Sequence, residues 1–393
     1  MSFKRVTGGV SAPRGFLAAG VASGIKTSGK EDLALLMSEK PASVAGVFTT
    51  NLAAAAPVQV CRERISSGIA QAVIVNAGCA NACTGQKGLQ DAFAMADVAA
   101  AKIDVAPELV LVCSTGLIGS YLPMEKVTLG IAELVGRLSQ DDSAAALSIM
   151  TTDTVPKTCA LEHSDGWSIG GMAKGAAMIA PNMATMLAFI TTDAIVEPRV
   201  LQASLKEAVD VTFNAITIDG DTSTNDSVLA FANGASEIEP GPEDFFPALL
   251  SVCRTLAEKI VADGEGATKF VRVRARGAAT EEDARRAARA IAESTLVKTA
   301  LFGQDPNWGR VVAAVGKAGV AADYSKMSVT INGLSVLNEG VPAGAGVRAQ
   351  AKAGLADPEI TLVCDLYAGE FSAEVLTTDL STEYVLLNSE YET

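Results

Sequence analysis

Lys174 and Thr185 stand inside the most apolar passage of the chain. The stretch GGMAKGAAMIAPNMATMLAFITTDA, residues 170–194, is interrupted by Lys174, Pro181, Asn182 and Thr185. Acyl chemistry at such a place needs a nucleophile and a general base, and histidine is scarce. The sole histidine, His163, lies in LEHSDGW, where it reads as an ordinary surface residue. A Ser-His-Asp or Cys-His arrangement would have to use it, and no nucleophile elbow lies nearby. A base other than histidine is therefore expected.

Further polar or glycine-rich clusters punctuate the chain: NAGCANACTG (76–85), CSTGLIG (113–119), MTTDTVPK (150–157), DGDTSTNDS (219–227), DGEGATKF (263–270), DPNWGR (305–310) and LNSEYET (387–393). Glycine after a strand lets backbone N–H groups approach a ligand, so CSTG reads either as an oxyanion site or as a tight strand-to-helix turn. DGDTSTNDS lacks the spacing and terminal glutamate of an EF-hand loop, and no metal is expected. Cys79 and Cys83 are four apart without a second Cys/His pair, so they read as buried thiols rather than zinc ligands. Taken alone, Lys174 would snorkel to the surface and Glu265 would be a solvated turn residue.

The elements that must position these clusters are legible in part. QAVIVNAG (71–78) and ELVLVCSTG (108–116) are β-branched runs ending at glycine. LQDAFAMADVAAAKI, MEKVTLGIAELVGRL and PEDFFPALLSVCRTLAEKIVADG have helical spacing, and Thr280 to Asp283 reads as a capping box opening a helix through Ile291. Strands are expected at 270–276, 327–333, 359–366, 370–376 and 383–388, with antiparallel pairing among the late ones. Two strands are expected on either side of the break in 170–194. The class is mixed α/β in layers. No G-x-G-x-x-G or Walker A sequence supports a doubly wound nucleotide-binding fold.

With 393 residues, 49% of them hydrophobic, the chain can build two or three domains or one two-lobed unit. A net charge of −14 and the lack of a Lys/Arg run argue against nucleic-acid binding. The start, MSFKRVTGGVSAPRGF, has no signal-peptide core, and no window reaches the roughly 18 unbroken apolar residues of a membrane span. Seven cysteines, an odd number in mostly apolar surroundings, fit a reducing cytosol. The expectation is a cytoplasmic protein acting on small molecules.

KGAAMIAPNMATML resembles the self-cleavage motif of the ornithine acetyltransferase family, the bifunctional glutamate N-acetyltransferases of arginine biosynthesis. The resemblance runs the length of the chain, through RGFLAAGVASGIK, NAG-ANA, STG-IG, MTTDT-PK, DGEGATK, DPNWGR and the terminal NSEY-T in order. It implies a layered αββα sandwich of the self-processing amidohydrolase type, with mixed sheets and a C-terminal α/β lobe. It further implies self-cleavage between Ala184 and Thr185, giving an α chain of 1–184 and a β chain of 185–393 in one intertwined unit. Thr185 would be the nucleophile and Thr115 with Gly116 the oxyanion hole. Thr151, Lys174, Thr185, Glu265, Asn388 and Thr393 would contact substrate, while Pro181 and Asn182 shape the scissile turn. The freed α-amine, with a reference pKa of about 7.7–8.0, supplies a base without histidine.

The implied activity is cofactor-free transfer of acetyl from N2-acetylornithine to glutamate through an acetyl-threonine, by an assembly of cleaved chains into a heterotetramer. Whether acetyl-CoA is a second donor stays open, since no coenzyme A signature is visible. Ala176, Ala177 and Asn182 depart from the usual motif without removing a group the chemistry needs. The rival readings are a self-processing amidase or aminopeptidase of the same fold, with water as acceptor, and an uncleaved, non-catalytic binding protein.

Overall fold

The computed structural model describes residues 3–180 and 186–390. Pro181, Asn182, Ala184, Thr185 and Thr393, singled out above, lie outside the described residues. Two compact units are present: Met1–Asn214 with Asp221–Ile260, and Ala215–Gly220 with Val261–Tyr391.

In the first unit the described strands are β1 (Phe3–Val6), β2 (Phe16–Val21), β3 (Leu33–Phe48), β4 (Ile69–Cys79), β5 (Val110–Leu117), β6 (Lys157–His163), β7 (Ser168–Lys174), β8 (Leu187–Thr192) and β9 (Ser227–Ala232). They pair in the order β1-β6-β7-β8-β9-β3-β4-β5, with β2 also on β3. β4–β5 and β8–β9 are parallel and the other pairs antiparallel. The sheet forks at β3. Leu33–Ser38 pairs with β2, Ser43–Phe48 pairs with β9, and the register against β4 shifts between Met37 and Ala42. Exposed Glu39, Lys40 and Pro41 lie within that shift; proline has no N–H to give a ladder, so it sits where pairing lapses.

The helices of this unit are α1 (Ala56–Arg64), α2 (Gly85–Ile103), α3 (Met124–Val135), α4 (Ser143–Ser148), α5 (Pro198–Asp210) and α6 (Pro242–Ala262). α2 packs on β4, β5 and α3, whereas α5 packs on β3 and β9. β4 and β5 are nearly continuous apolar runs, as strands covered on both faces must be. Ile74, Val75, Leu111 and Val112 are wholly buried with Met95 of α2 and Ile131 of α3. Each such side chain stabilises the fold by about 1.5–3 kcal/mol. The architecture is the layered αββα sandwich with mixed sheets expected from the sequence. β7 and β8 flank the break and pair directly, Lys174 opposite Leu187.

The second unit is the α/β lobe expected at the C-terminus. Its strands are β10 (Phe270–Ala278), β11 (Ser328–Ile331), β12 (Leu334–Asn338), β13 (Val341–Pro342), β14 (Glu359–Asp365) and β15 (Phe371–Thr378), in the order β13-β12-β11-β14-β10-β15. Antiparallel pairing holds except for β10–β14, which is parallel. Its helices are α7 (Glu281–Ala292), α8 (Thr295–Phe302), α9 (Trp308–Ala318), α10 (Ala345–Gly354) and α11 (Thr382–Glu390). Thr280 caps α7 by accepting Asp283 N–H at 3.1 Å.

One expectation is corrected: 383–388 is not a strand but most of α11. Ser381 Oγ accepts Tyr384 N–H at 3.1 Å, an N-cap bond that starts a helix. The β-like run Tyr-Val-Leu-Leu lies on a helix with no buried residue, so its pattern had no sheet to join.

Candidate active site

The backbones of β4 and β5 approach each other closely where the two strands end. Gly78 pairs with Gly116 and Ala77 with Thr115. Gly116 has φ +125°, and a Cβ there would lie 2.5 Å from the Gly78 carbonyl carbon, so only glycine fits. Two buried amides pin this crossing. Asn76 donates to Cys79 O at 2.8 Å and accepts from Ser114 Oγ at 2.6 Å. Asn225 donates to Ala80 O at 2.6 Å and to Ser114 O at 2.9 Å. The DGDTSTNDS segment thereby ties the NAG-ANA and STG clusters together.

Lys174, at the end of β7, does not snorkel. It is 1% exposed, and its Nζ donates to Thr115 Oγ1 at 3.3 Å. A hydroxyl that accepts from an ammonium keeps its own proton to donate elsewhere. Thr151 joins the cluster through Asp153, which the sequence reading had passed over. Asp153 accepts from Thr151 N at 3.1 Å, Gly175 N at 2.7 Å and Lys157 Nζ at 2.6 Å. The Lys157 and Asp153 side chains are both 0% exposed. Burial pushes the Asp153 carboxyl up, but the charges of Lys174 and Lys157 and the Gly175 amide outweigh it and hold the group at about 2.

Three further ionisable residues border this cluster. Asp32 accepts from Ser23 N and Oγ, both at 2.7 Å, and from Lys26 N at 2.9 Å, which folds the GIK loop over Gly78. Burial lowers the Lys26 ammonium; Asp32 opposes that, and the charge of Lys174 adds to it. Asp226, just before β9, is 0% exposed and accepts Met186 N–H at 2.9 Å. Sequence reasoning missed Asp226 because its partner lies 40 residues away. The signal available was a carboxylate directly preceding an apolar strand.

In the second unit, Asn388 of α11 donates to Glu265 Oε2 at 2.9 Å, so these two expected contacts come together there. Gly266 (φ +62°) allows it: a Cβ would lie 2.4 Å from Tyr384 N. Asp379 fixes the same loop by accepting Thr268 N at 2.8 Å and Lys269 N at 3.0 Å.

Two expectations about single residues are corrected. His163 is buried, 6% exposed, stacked on Trp167 at 5.3 Å and tilted against Phe3 at 4.7 Å; the apolar ring face wins over its polar neighbours in sequence. Five cysteines are buried as expected, but Cys83 is exposed and Cys159 half-buried. No described helix is long and apolar enough to cross a membrane.

Comparison with known proteins places this geometry in context. The ArgJ family matches residues 17–393. The arginine biosynthesis bifunctional protein ArgJ of Mycolicibacterium paratuberculosis is 52% identical over 393 residues, 98% of this chain and 96% of that one. Among solved structures, ornithine acetyltransferase complexed with ornithine from Mycobacterium tuberculosis is 48% identical over 46% of this chain and 98% of that one, with a TM-score of 0.45. The arginine biosynthesis bifunctional protein argJ of Bacillus halodurans is 38% identical over 52% of this chain and 98% of that one, with a TM-score of 0.50.

Proposed function

The chain belongs to the ArgJ family, and from that premise we propose that it is a self-cleaving acetyltransferase of arginine biosynthesis, moving acetyl from N2-acetylornithine to glutamate through Thr185. The observation that carries this reading is the buried contact of Lys174 with Thr115 Oγ1, beside a glycine that admits no side chain. Lysine donates to the threonine oxygen, so the hydroxyl proton is left for an oxyanion. Loss of one such donor typically costs about 10²–10³ in rate.

In self-cleavage, the Thr185 hydroxyl attacks the Ala184 carbonyl, the acyl group shifts from nitrogen to oxygen, and water hydrolyses the ester. The new α-amine is then the base. It takes the hydroxyl proton as Oγ bonds to the acetyl carbon, and passes it to the ornithine nitrogen as the C–N bond breaks. Glutamate's amine then attacks the acetyl-threonine, releasing N-acetylglutamate and restoring the hydroxyl. In this reading Lys174 pairs with a substrate carboxylate and Glu265 holds the amino end, with Thr151, Asn388 and Thr393 as further substrate contacts. The B. halodurans chain matches about half of this one, the size of piece a cut at 184/185 leaves. The word bifunctional in the relatives' names supports acetyl-CoA as a second donor. The same reading includes the cytoplasmic heterotetramer of α and β chains.

Intact mass tests the first step: two fragments meeting at Ala184/Thr185 are expected from the parent and one chain from Thr185→Ala. Purified protein is then assayed with glutamate plus either acetylornithine or acetyl-CoA. Activity with neither donor, or a Thr185→Ala protein that still cleaves and transfers, rejects the proposal.

A further inference from the structure

The GIK motif has no task in the chemistry above. Gly24, Ile25 and Lys26 lie in the loop between β2 and β3. Asp32, wholly buried, builds that loop: its carboxylate accepts Ser23 N at 2.7 Å and Lys26 N at 2.9 Å. Its carbonyl accepts Ala77 N–H at 2.8 Å, so the loop is tied to the strand position paired with Thr115. Lys26 thereby lies on the β4–β5 crossing itself. A Cβ at Gly78 would meet Lys26 Cγ at 3.1 Å and Ile25 Cγ2 at 3.2 Å, and Gly78 is paired with Gly116. The lysine is half-buried there. Among the described residues its ammonium has one hydrogen-bond partner, the Glu31 carbonyl, and no ion pair. An ammonium carries three donors, so two are left for a ligand or water.

A second ammonium acts on the same place. Lys174, 1% exposed, bonds Thr115 on the adjoining pair of that crossing. Burial lowers the Lys26 pKa, Asp32 opposes it, and the charge of Lys174 lowers it further. Two ammonium groups that disfavour each other are both stabilised by an anion bound beside them. The amino acids exchanged in the proposed cycle differ in what they offer. Ornithine carries one carboxylate and ends in an ammonium, whereas glutamate carries a second carboxylate at its far end. The reading above gives Lys174 to one carboxylate and Glu265 to the amino end, and provides nothing for the second carboxylate. Resting on that acetyl-transfer reading, we infer that Lys26 selects the acceptor: its ammonium takes the side-chain carboxylate of glutamate, while Lys174 takes the carboxylate that both amino acids share. Lys26 transfers no proton and touches no reacting atom. It makes the site a receptor for a dicarboxylic amino acid in the second half of the cycle. Glutamine, with a neutral side chain, would leave the same ammonium without a counter-charge and should be a poor acceptor.

The test is Lys26→Met in the full chain, beside the parent and Lys30→Gln. Methionine keeps an unbranched stem over Gly78 and removes the charge. Lys30 is exposed on the same loop and controls for the loop's charge. In a two-step transfer, kcat/KM for acetylornithine reports the first half alone, and it should stay within about twofold of the parent. The kcat/KM for glutamate should fall about tenfold or more, the scale of losing one hydrogen bond to a charged group. With glutamine as acceptor the parent and Lys26→Met should be alike, so the preference for glutamate collapses in the variant. A merely structural lysine would lower both halves together and leave the preference intact, and that result overturns the inference. So does a parental kcat/KM for glutamate, or an equal loss in Lys30→Gln. Should Lys26→Met not fold, the parent with carbon-13-methylated lysines is titrated with each amino acid. One lysine signal should move with glutamate and not with glutamine, and the lack of such a signal refutes the pairing. A parent that forms no N-acetylglutamate from acetylornithine rejects the underlying reading instead, and is recognised before any variant is made.

Discussion

Replacing Asp153 by Asn removes a negative charge from between two lysines at almost constant shape. The carboxylate lies 2.6 Å from Lys157 Nζ, with both side chains 0% exposed, and takes Gly175 N–H at 2.7 Å. Removing one partner of a buried ion pair typically costs about 3–5 kcal/mol. Asparagine retains one acceptor, so a loss of about 3 kcal/mol at pH 7 is expected. Linkage gives a second measure. The carboxyl's pKa is lowered in the folded state from 3.8 to about 2, so its stabilisation is fully present above about pH 4 and is lost as pH falls through about 2. That shift is worth about 2 kcal/mol. The substitution costs more than the shift because it also leaves Lys157 without this counter-charge. Urea unfolding at pH 7 and melting curves between pH 5 and 2 check both numbers. The variant should be weaker at neutral pH and should lack this part of the parent's acid slope. Equal stability at pH 7, or the parent's full acid slope in the variant, refutes the argument.

Three other outcomes follow from the geometry. Gly116→Ala puts a Cβ about 2.5 Å from the Gly78 backbone; by kcat and intact mass, acetyl transfer should fall by about 10²-fold or more, with cleavage slowed as well. Asn388→Ala removes the 2.9 Å donor to Glu265, so KM for acetylornithine should rise several-fold while kcat changes little, a split that steady-state kinetics resolves. Cys83 is the exposed thiol, so brief alkylation of the native protein, mapped by peptide mass, should label Cys83 first and leave Cys61, Cys113, Cys253 and Cys364 unlabelled until denaturant is added.

Local pattern carried the reading wherever burial was simple. β4 and β5, covered on both faces, announce themselves as unbroken β-branched runs, and the helices α2, α3 and α6 by their spacing. β3, the 16-residue strand on which the sheet forks, was invisible because Glu39-Lys40-Pro41 splits it at the register shift. α11 was misread because its apolar side chains are exposed, so hydrophobicity there reports no core. His163 was misread because the rings that bury it, Phe3 and Trp167, are brought up by β1 and the β6–β7 turn. Of the candidate site, Thr115, Gly116 and Lys174 are read from the family motif, and the structure adds that Lys174 reaches Thr115. Asp153 and Asp226 escaped because their meaning lies in long-range partners, Gly175 and Met186.

The placement of the break also explains how such a chain could be cut without falling apart. β7 and β8 are joined by six paired positions, from Ile169↔Thr192 to Lys174↔Leu187, and β8 continues in parallel register with β9. Both strands are held by the sheet rather than by the covalent connection between them. The proposed cut at 184/185 would leave every described rung of the β7–β8 and β8–β9 ladders in place. The same ladder fixes Lys174 at the last paired position of β7 and Met186 one residue before the first of β8. Lys174 bonds Thr115, and Met186 N bonds Asp226. The residues that bracket the break are therefore anchored to buried groups, Lys174 to Thr115 and Met186 to Asp226. Under the proposed self-cleavage, such anchoring would serve a nucleophile that acts twice, first on its own backbone and then on a substrate.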